Sequence, residues 1–91
     1  MLAPLTSHAR VRMQQRGIPP AAVDALLVYG RESHDHRGCR IVLFDKRSRL
    51  RAARALGDAF RRIERHLGAY AVLGDDDAVV TVGHRLGRRP R

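Results

Sequence analysis

Residues 7–18, S-H-A-R-V-R-M-Q-Q-R-G-I, decide the fold, because they read as a short helix closed at both ends. Ser7 is a candidate N-cap, and Gly17 suits the left-handed position just past a helix end. On a helical wheel His8, Arg12 and Arg16 share one face, with Ala9 and Met13 beside them. Stacked like charges of this kind cost a few tenths of a kcal/mol per pair unless something offsets them. Carboxylates elsewhere in the fold neutralise the stripe, or it faces an anion from outside.

Working outward, Ile18-Pro19-Pro20 opens a second helix. Pro20 fits a first helical turn, and Ile18 can pack back as a staple. Val23, Leu26 and Leu27 form its apolar stripe and Gly30 ends it, so two short helices make a hairpin. Residues 31–37 are polar and read as an edge strand or a loop. Residues 39–44, C-R-I-V-L-F, are apolar and β-branched, the pattern of an interior strand.

Beyond Asp45 the apolar residues Leu50, Ala53, Leu56, Phe60, Ile63 and Leu67 recur at helical spacing, which predicts a long helix stopped by Gly68. Its opposite face carries Arg51, Arg54, Arg61, Arg62 and Arg65, with Asp58 placed to pair with Arg54 or Arg62. Gly57 falls inside this pattern and marks a place for a kink or break. Residues 69–73 and 78–85 flank G-D-D-D and predict a hairpin, since Asp tolerates positive φ. Alternation along its second strand puts Ala78, Val80, Val82 and His84 on one face. The tail from residue 86 is short and basic. The order ααββαββ predicts one α+β domain over 1–91, helices on a small antiparallel sheet of three or four strands.

The 91 residues hold eighteen basic and nine acidic groups, a net charge of +9, and every basic residue but Lys46 is arginine. Guanidinium forks bind phosphate in bidentate fashion and stack on bases. GC-rich coding also favours arginine, so a solvated surface competes with a nucleic-acid partner as the reading of this charge. A core this thin gains from a homodimer. Cys39 is alone, so no disulfide forms within the chain. The start, M-L-A-P-L-T, lacks the pattern of a signal peptide, and no apolar run approaches the roughly 18 residues of a membrane span. A cytoplasmic protein is expected, with no membrane association.

Two segments together resemble the DUF4258 family of small bacterial proteins: H-A-R-V-R-M-Q-Q-R-G-I, of the form H-A-x-x-R-M-x-x-R-G-I, and V-V-T-V-G-H-R at the end of the last strand. That family is grouped with the RelE-like toxins, alongside barnase, EndoU and colicin-type nucleases (BECR). The resemblance implies a helical hairpin on a four-stranded antiparallel sheet and metal-independent RNA cleavage, hence a toxin with an acidic antitoxin partner and no cofactor. The chain departs from the pattern at Pro19-Pro20, where a Ser-type cap is usual, and in the longer basic helix before the hairpin.

RNA transesterification needs a base for the 2′-hydroxyl, an acid for the leaving oxygen and cations for the phosphate. Histidine suits the proton roles and arginine the charge role. His84 and Arg85 end a strand and form the first candidate set, with Tyr70 or Thr81 of the same hairpin; the competing reading is a strand-end ion pair with the aspartates 75–77 or a helix terminus. His8 and Arg12, with Arg16, form the second set, the competing reading being side chains that pin the first helix to the sheet. Arg16, Arg51, Arg54, Arg61, Arg62, Arg65, Arg88 and Arg89 are candidates for gripping a phosphate backbone. His34, His36 and Cys39 resemble part of a metal site without a fourth ligand, and Cys39 is expected to pack as a small buried hydrophobe. Four aromatics, Tyr29, Phe44, Phe60 and Tyr70, are too few for a broad stacking platform. The reading is an RNA-cleaving toxin; the alternative is an RNA- or DNA-binding module, or a subunit of a larger complex, without catalysis.

Overall fold

The computed structural model describes residues 4–34 and 38–85. The first helix, α1, spans Ser7–Arg16. Its N-cap is Thr6 rather than Ser7, because the Thr6 hydroxyl accepts the Ala9 N–H at 3.1 Å. Thr6 is also anchored to the sheet, its N–H donating to Val79 O and its hydroxyl to Val80 O, so the helix starts where the sheet holds the chain. Gly17 closes α1 in the left-handed conformation, φ 64°. Helix α2, Pro20–Tyr29, follows with Pro20 in its first turn and buries Ala22, Val23, Ala25 and Leu26.

Four strands form one antiparallel sheet in the order β1-β2-β3-β4: β1 Arg31–His34, β2 Arg40–Leu43, β3 Ala69–Leu73 and β4 Val79–His84. The polar segment is thus an exposed edge strand, and the apolar β2 lies inside the sheet. Cys39 precedes β2 and is half-buried, not the buried hydrophobe expected. One face of the sheet, Val42, Ala69, Ala71, Leu73, Val79 and Val82, meets Ala9, Met13, Val23, Leu26 and Phe44 in the core. Ile41, Leu43, Tyr70, Val72 and Thr81 lie on the other face, half-buried, and do not belong to that core.

The hairpin departs from simple alternation. Val72 pairs with Thr81 but Leu73 pairs with Val79, so β4 carries an extra residue opposite β3. This β-bulge turns Val79 into the core and leaves Val80 38% exposed, reversing the expectation for the two valines. Past the bulge the expected pattern holds, with Val82 buried. Asp77 in the turn takes φ 65°, and its carboxylate is held by Arg40 of β2. The Arg40 guanidinium also donates to Gly74 O and lies 3.7 Å from Glu32.

The predicted long helix is two different structures. Helix α3 spans only Lys46–Leu56, opened by a capping box in which Asp45 and Ser48 exchange hydrogen bonds of 2.8 Å. At Gly57 the backbone takes φ 56°, ψ −127°, a conformation natural to glycine alone, and the chain continues as 3₁₀ turns over Gly57–Arg62 and Glu64–His66. The buried face of α3 is Ser48 and Ala52, small residues that let α2 approach closely, whereas Leu50 is 55% exposed. Asp58 forms no ion pair with Arg54 or Arg62 among the described residues. No helix among the described residues is long and apolar enough to cross a membrane.

Candidate active site at the end of the hairpin

The register of β3 with β4 decides where His84 goes. Ala69 pairs with His84, so the imidazole at the end of β4 stands beside the turn that leads into β3. That turn carries His66, and Arg85 N–H donating to Gly68 O at 2.8 Å extends the ladder one step and holds turn and strand together. The two rings meet there. His66 Nδ1 and His84 Nε2 are 3.5 Å apart, the ring centroids 5.7 Å apart and the planes inclined by 23°. Both imidazoles are half-buried, and Arg65 and Arg85 beside them are exposed.

Burial pushes the His66 imidazole below its ordinary value, and the positive charges of His84 and Arg65 push the same way. The neutral form of His66 is therefore favoured near neutrality, which fits a proton acceptor. A ring that accepts a proton next to a second imidazole, with arginines alongside, has the components for acid–base chemistry at a phosphate.

His66 was not among the candidates read from the sequence. Its neighbour Arg65 was singled out only as a phosphate contact, and what makes His66 a partner of His84 is a tertiary pairing. The usable signal is the hairpin itself: a turn at the aspartates brings the end of β4 back beside residue 69, three residues past His66, and the bulge then sets residue 84 opposite it.

The other candidates are distributed differently. Tyr70 is opposite Gly83, and a β-carbon there would come within 2.9 Å of the Tyr70 hydroxyl, so the ring lies flat against the strand on the open sheet face. His84 is one residue along and turned to the other face, so Tyr70 does not share the histidine pair's side of the sheet. Asp75–Asp77 lie at the opposite end of the hairpin, and Arg40 takes Asp77, so the strand-end ion pair with His84 or Arg85 does not form.

His8 and Arg12 form their own exposed contact, Arg12 Nε donating to His8 Nε2 at 3.4 Å. They do not pin α1 to the sheet; Ala9 and Met13 do that by burial, and Arg16 is exposed. Arg51 donates to Tyr29 O at 2.8 Å, satisfying a carbonyl at the end of α2. Arg54, Arg61 and Arg62 are exposed, as expected. His36, Arg88 and Arg89 lie outside the described residues. No group of three or more His, Cys, Asp or Glu among the described residues is arranged to hold a metal ion.

No protein-family model, curated protein or solved structure matches this chain.

Proposed function

We propose that the protein is a small basic endoribonuclease of the RelE-like kind, the toxin of a cytoplasmic toxin–antitoxin pair. The observation that carries this reading is the half-buried His66–His84 pair, with Arg65 near enough to act on His66 and Arg85 next along the strand from His84. In the proposed reaction neutral His66 takes the proton from a ribose 2′-hydroxyl, and the oxygen attacks the adjacent phosphorus. His84 gives a proton to the departing 5′-oxygen. The products are a 2′,3′-cyclic phosphate and a 5′-hydroxyl, and Arg65 and Arg85 offset the charge that builds on the phosphoryl oxygens. The resemblance of H-A-R-V-R-M-Q-Q-R-G-I and V-V-T-V-G-H-R to DUF4258 supports the same class. The net charge of +9 supports RNA as substrate and an acidic protein as the partner that silences it.

The test is mixed total RNA incubated with the wild type, His66→Gln and His84→Gln in EDTA, with the new ends analysed. Cleavage by the wild type to cyclic phosphate ends, reduced at least ~100-fold in each variant, supports the reading. RNA that stays intact, both free and on translating ribosomes, overturns it; salt-dependent binding without cleavage then makes the protein a nucleic-acid-binding module.

A further inference from the structure

A second cationic feature lies at the same end of the sheet. Arg31 begins β1, and the chain leaving β2 enters α3 through Asp45, Lys46 and Arg47. Between them opens a cavity of about 820 Å³ lined by Arg31, Lys46, Arg47 and Arg51, with Asp45 and Leu50. Four cations thus face one carboxylate. That carboxylate is already engaged: its Oδ1 accepts the Ser48 N–H at 2.8 Å, while Arg31 stands off at 3.7 Å with its side chain 67% exposed. The side chains of Lys46 and Arg47 make no hydrogen bond or ion pair among the described residues. Four like charges gathered on a concave surface with a single counter-charge repel one another, and an anion in the cavity relieves that repulsion. Leu50, 55% exposed at the rim, offers an apolar surface next to the charge, which suits a nucleobase attached to a phosphate.

The sheet register sets the distance from this cavity to the histidine pair. Arg31, Leu43, Tyr70 and Gly83 are successive partners across the four strands, and His84 follows Gly83. From β1 to β4 is three strand spacings of about 4.8 Å, roughly 14 Å in all. That span equals about four stacked nucleotides at roughly 3.4 Å each.

We propose that this cavity is a binding site for a backbone phosphate of single-stranded RNA, a few nucleotides from the phosphate held at His66 and His84. The inference rests on the ribonuclease reading for the second position along the strand, but the cavity's own chemistry is independent of cleavage. Lys46, Arg47 and Arg31 then fix how the strand crosses the end of the sheet, and the enzyme prefers substrates long enough to reach both positions.

The experiment uses the full chain and a 2′-O-methyl RNA of about eight nucleotides, which cannot undergo the transesterification, with affinity measured by fluorescence anisotropy over a salt series. The variant Lys46→Gln/Arg47→Gln alters two exposed side chains, and its thermal unfolding and circular dichroism verify that it folds. The expected result is at least about a tenfold loss of affinity and a salt slope shallower by about 0.7, from one phosphate no longer neutralised on a single strand. For a dinucleotide the loss is several-fold smaller. Equal affinity and slope in variant and wild type overturn the proposal, as does a free mononucleotide that binds the wild type as tightly as the longer strand. Cleavage of natural RNA is scored separately. Cavity-dependent binding without cleavage retains this site and rejects the ribonuclease, whereas cleavage with no effect of Lys46 and Arg47 does the reverse.

Discussion

His66 Nδ1 stands 3.5 Å from His84 Nε2, and the two residues come from opposite sides of the β3–β4 hairpin. Positive charge on His84 raises the cost of a proton on His66. Burial adds to this at His66, whose imidazole is shifted below the ordinary 6.5, with the charges of His84 and Arg65 contributing in the same direction.

That shift has two consequences for pH. If His66 is the base, kcat/KM falls on the acid side only below 6.5, where His66 becomes protonated, and the acid limb vanishes from the residual activity of His66→Gln. The stability consequence has a definite sign. The unfolded chain binds a proton at the ordinary value and the folded chain resists it, so stability is complete above 6.5 and is lost as pH falls toward the folded value. Melting temperatures at about pH 7.5 and about pH 5 measure this loss, and His66→Gln makes it smaller. An unchanged difference in the variant would place the acid sensitivity on other groups.

The sequence made the helical hairpin, the interior strand and the Asp-rich turn legible, because each is fixed locally. Gly17, Pro20 and Asp77 sit in conformations that suit their own residue types, and residues 39–44 have no helical alternative. What escaped the sequence depends on contacts. The apolar spacing from Leu50 to Leu67 runs through Gly57 without interruption, yet the backbone breaks there, and Ser48 and Ala52 rather than Leu50 face the core. The bulge at Val79 and Val80 reverses a correctly read alternation by one residue. His84 was legible as a strand-end group, whereas His66 became its partner only through the pairing of Ala69 with His84.

The break at Gly57 can be tested directly. Its φ of 56° with ψ −127° is strained for any residue with a β-carbon, although open space surrounds the position. Gly57→Ala therefore costs about 1–3 kcal/mol through the backbone alone. In a domain of this size each kcal/mol lowers Tm by about 4–8 °C. A variant that melts at or above the wild-type temperature would mean that the helix runs on through residue 57, as the apolar spacing suggests.

Among the described residues Ser48 is the one polar residue in the buried set, 2% exposed, and its hydroxyl accepts the Asp45 N–H at 2.8 Å. Removing it leaves that N–H without its partner at the start of α3. Ser48→Ala is expected to cost about 1 kcal/mol, read as a lower urea midpoint with an unchanged slope. It also removes a hydrogen bond that helps hold the Asp45 carboxyl below the ordinary carboxylate range, where the Ser48 N–H contributes most. Asp45 contributes stability above that range and loses it as pH falls through the folded value, so Ser48→Ala narrows this acid-dependent part. A variant as stable as the wild type would show that the capping box adds nothing to α3.

The arginines divide into two kinds, and the division predicts different kinetics. Arg65 and Arg85 are the chain neighbours of the two histidines, and Arg65 is close enough to shift His66. Arg54, Arg61 and Arg62 are exposed on other surfaces and take part in no hydrogen bond or ion pair among the described residues. Charge beside the reacting phosphate acts on the transition state, whereas charge elsewhere acts equally on bound substrate and transition state. Arg65→Gln and Arg85→Gln are therefore expected to lower kcat about 10- to 100-fold, in line with the loss of one stabilising charge. Arg54→Gln and Arg61→Gln are expected to raise KM at most a few-fold, each making the salt slope shallower by about 0.7 if it touches the strand. Arg65→Gln should also raise the pH at which the acid limb begins, since the positive charge that disfavours protonated His66 is gone. Uniform losses confined to KM across all four variants would mean that the arginines only gather RNA and give no added support to the transition state.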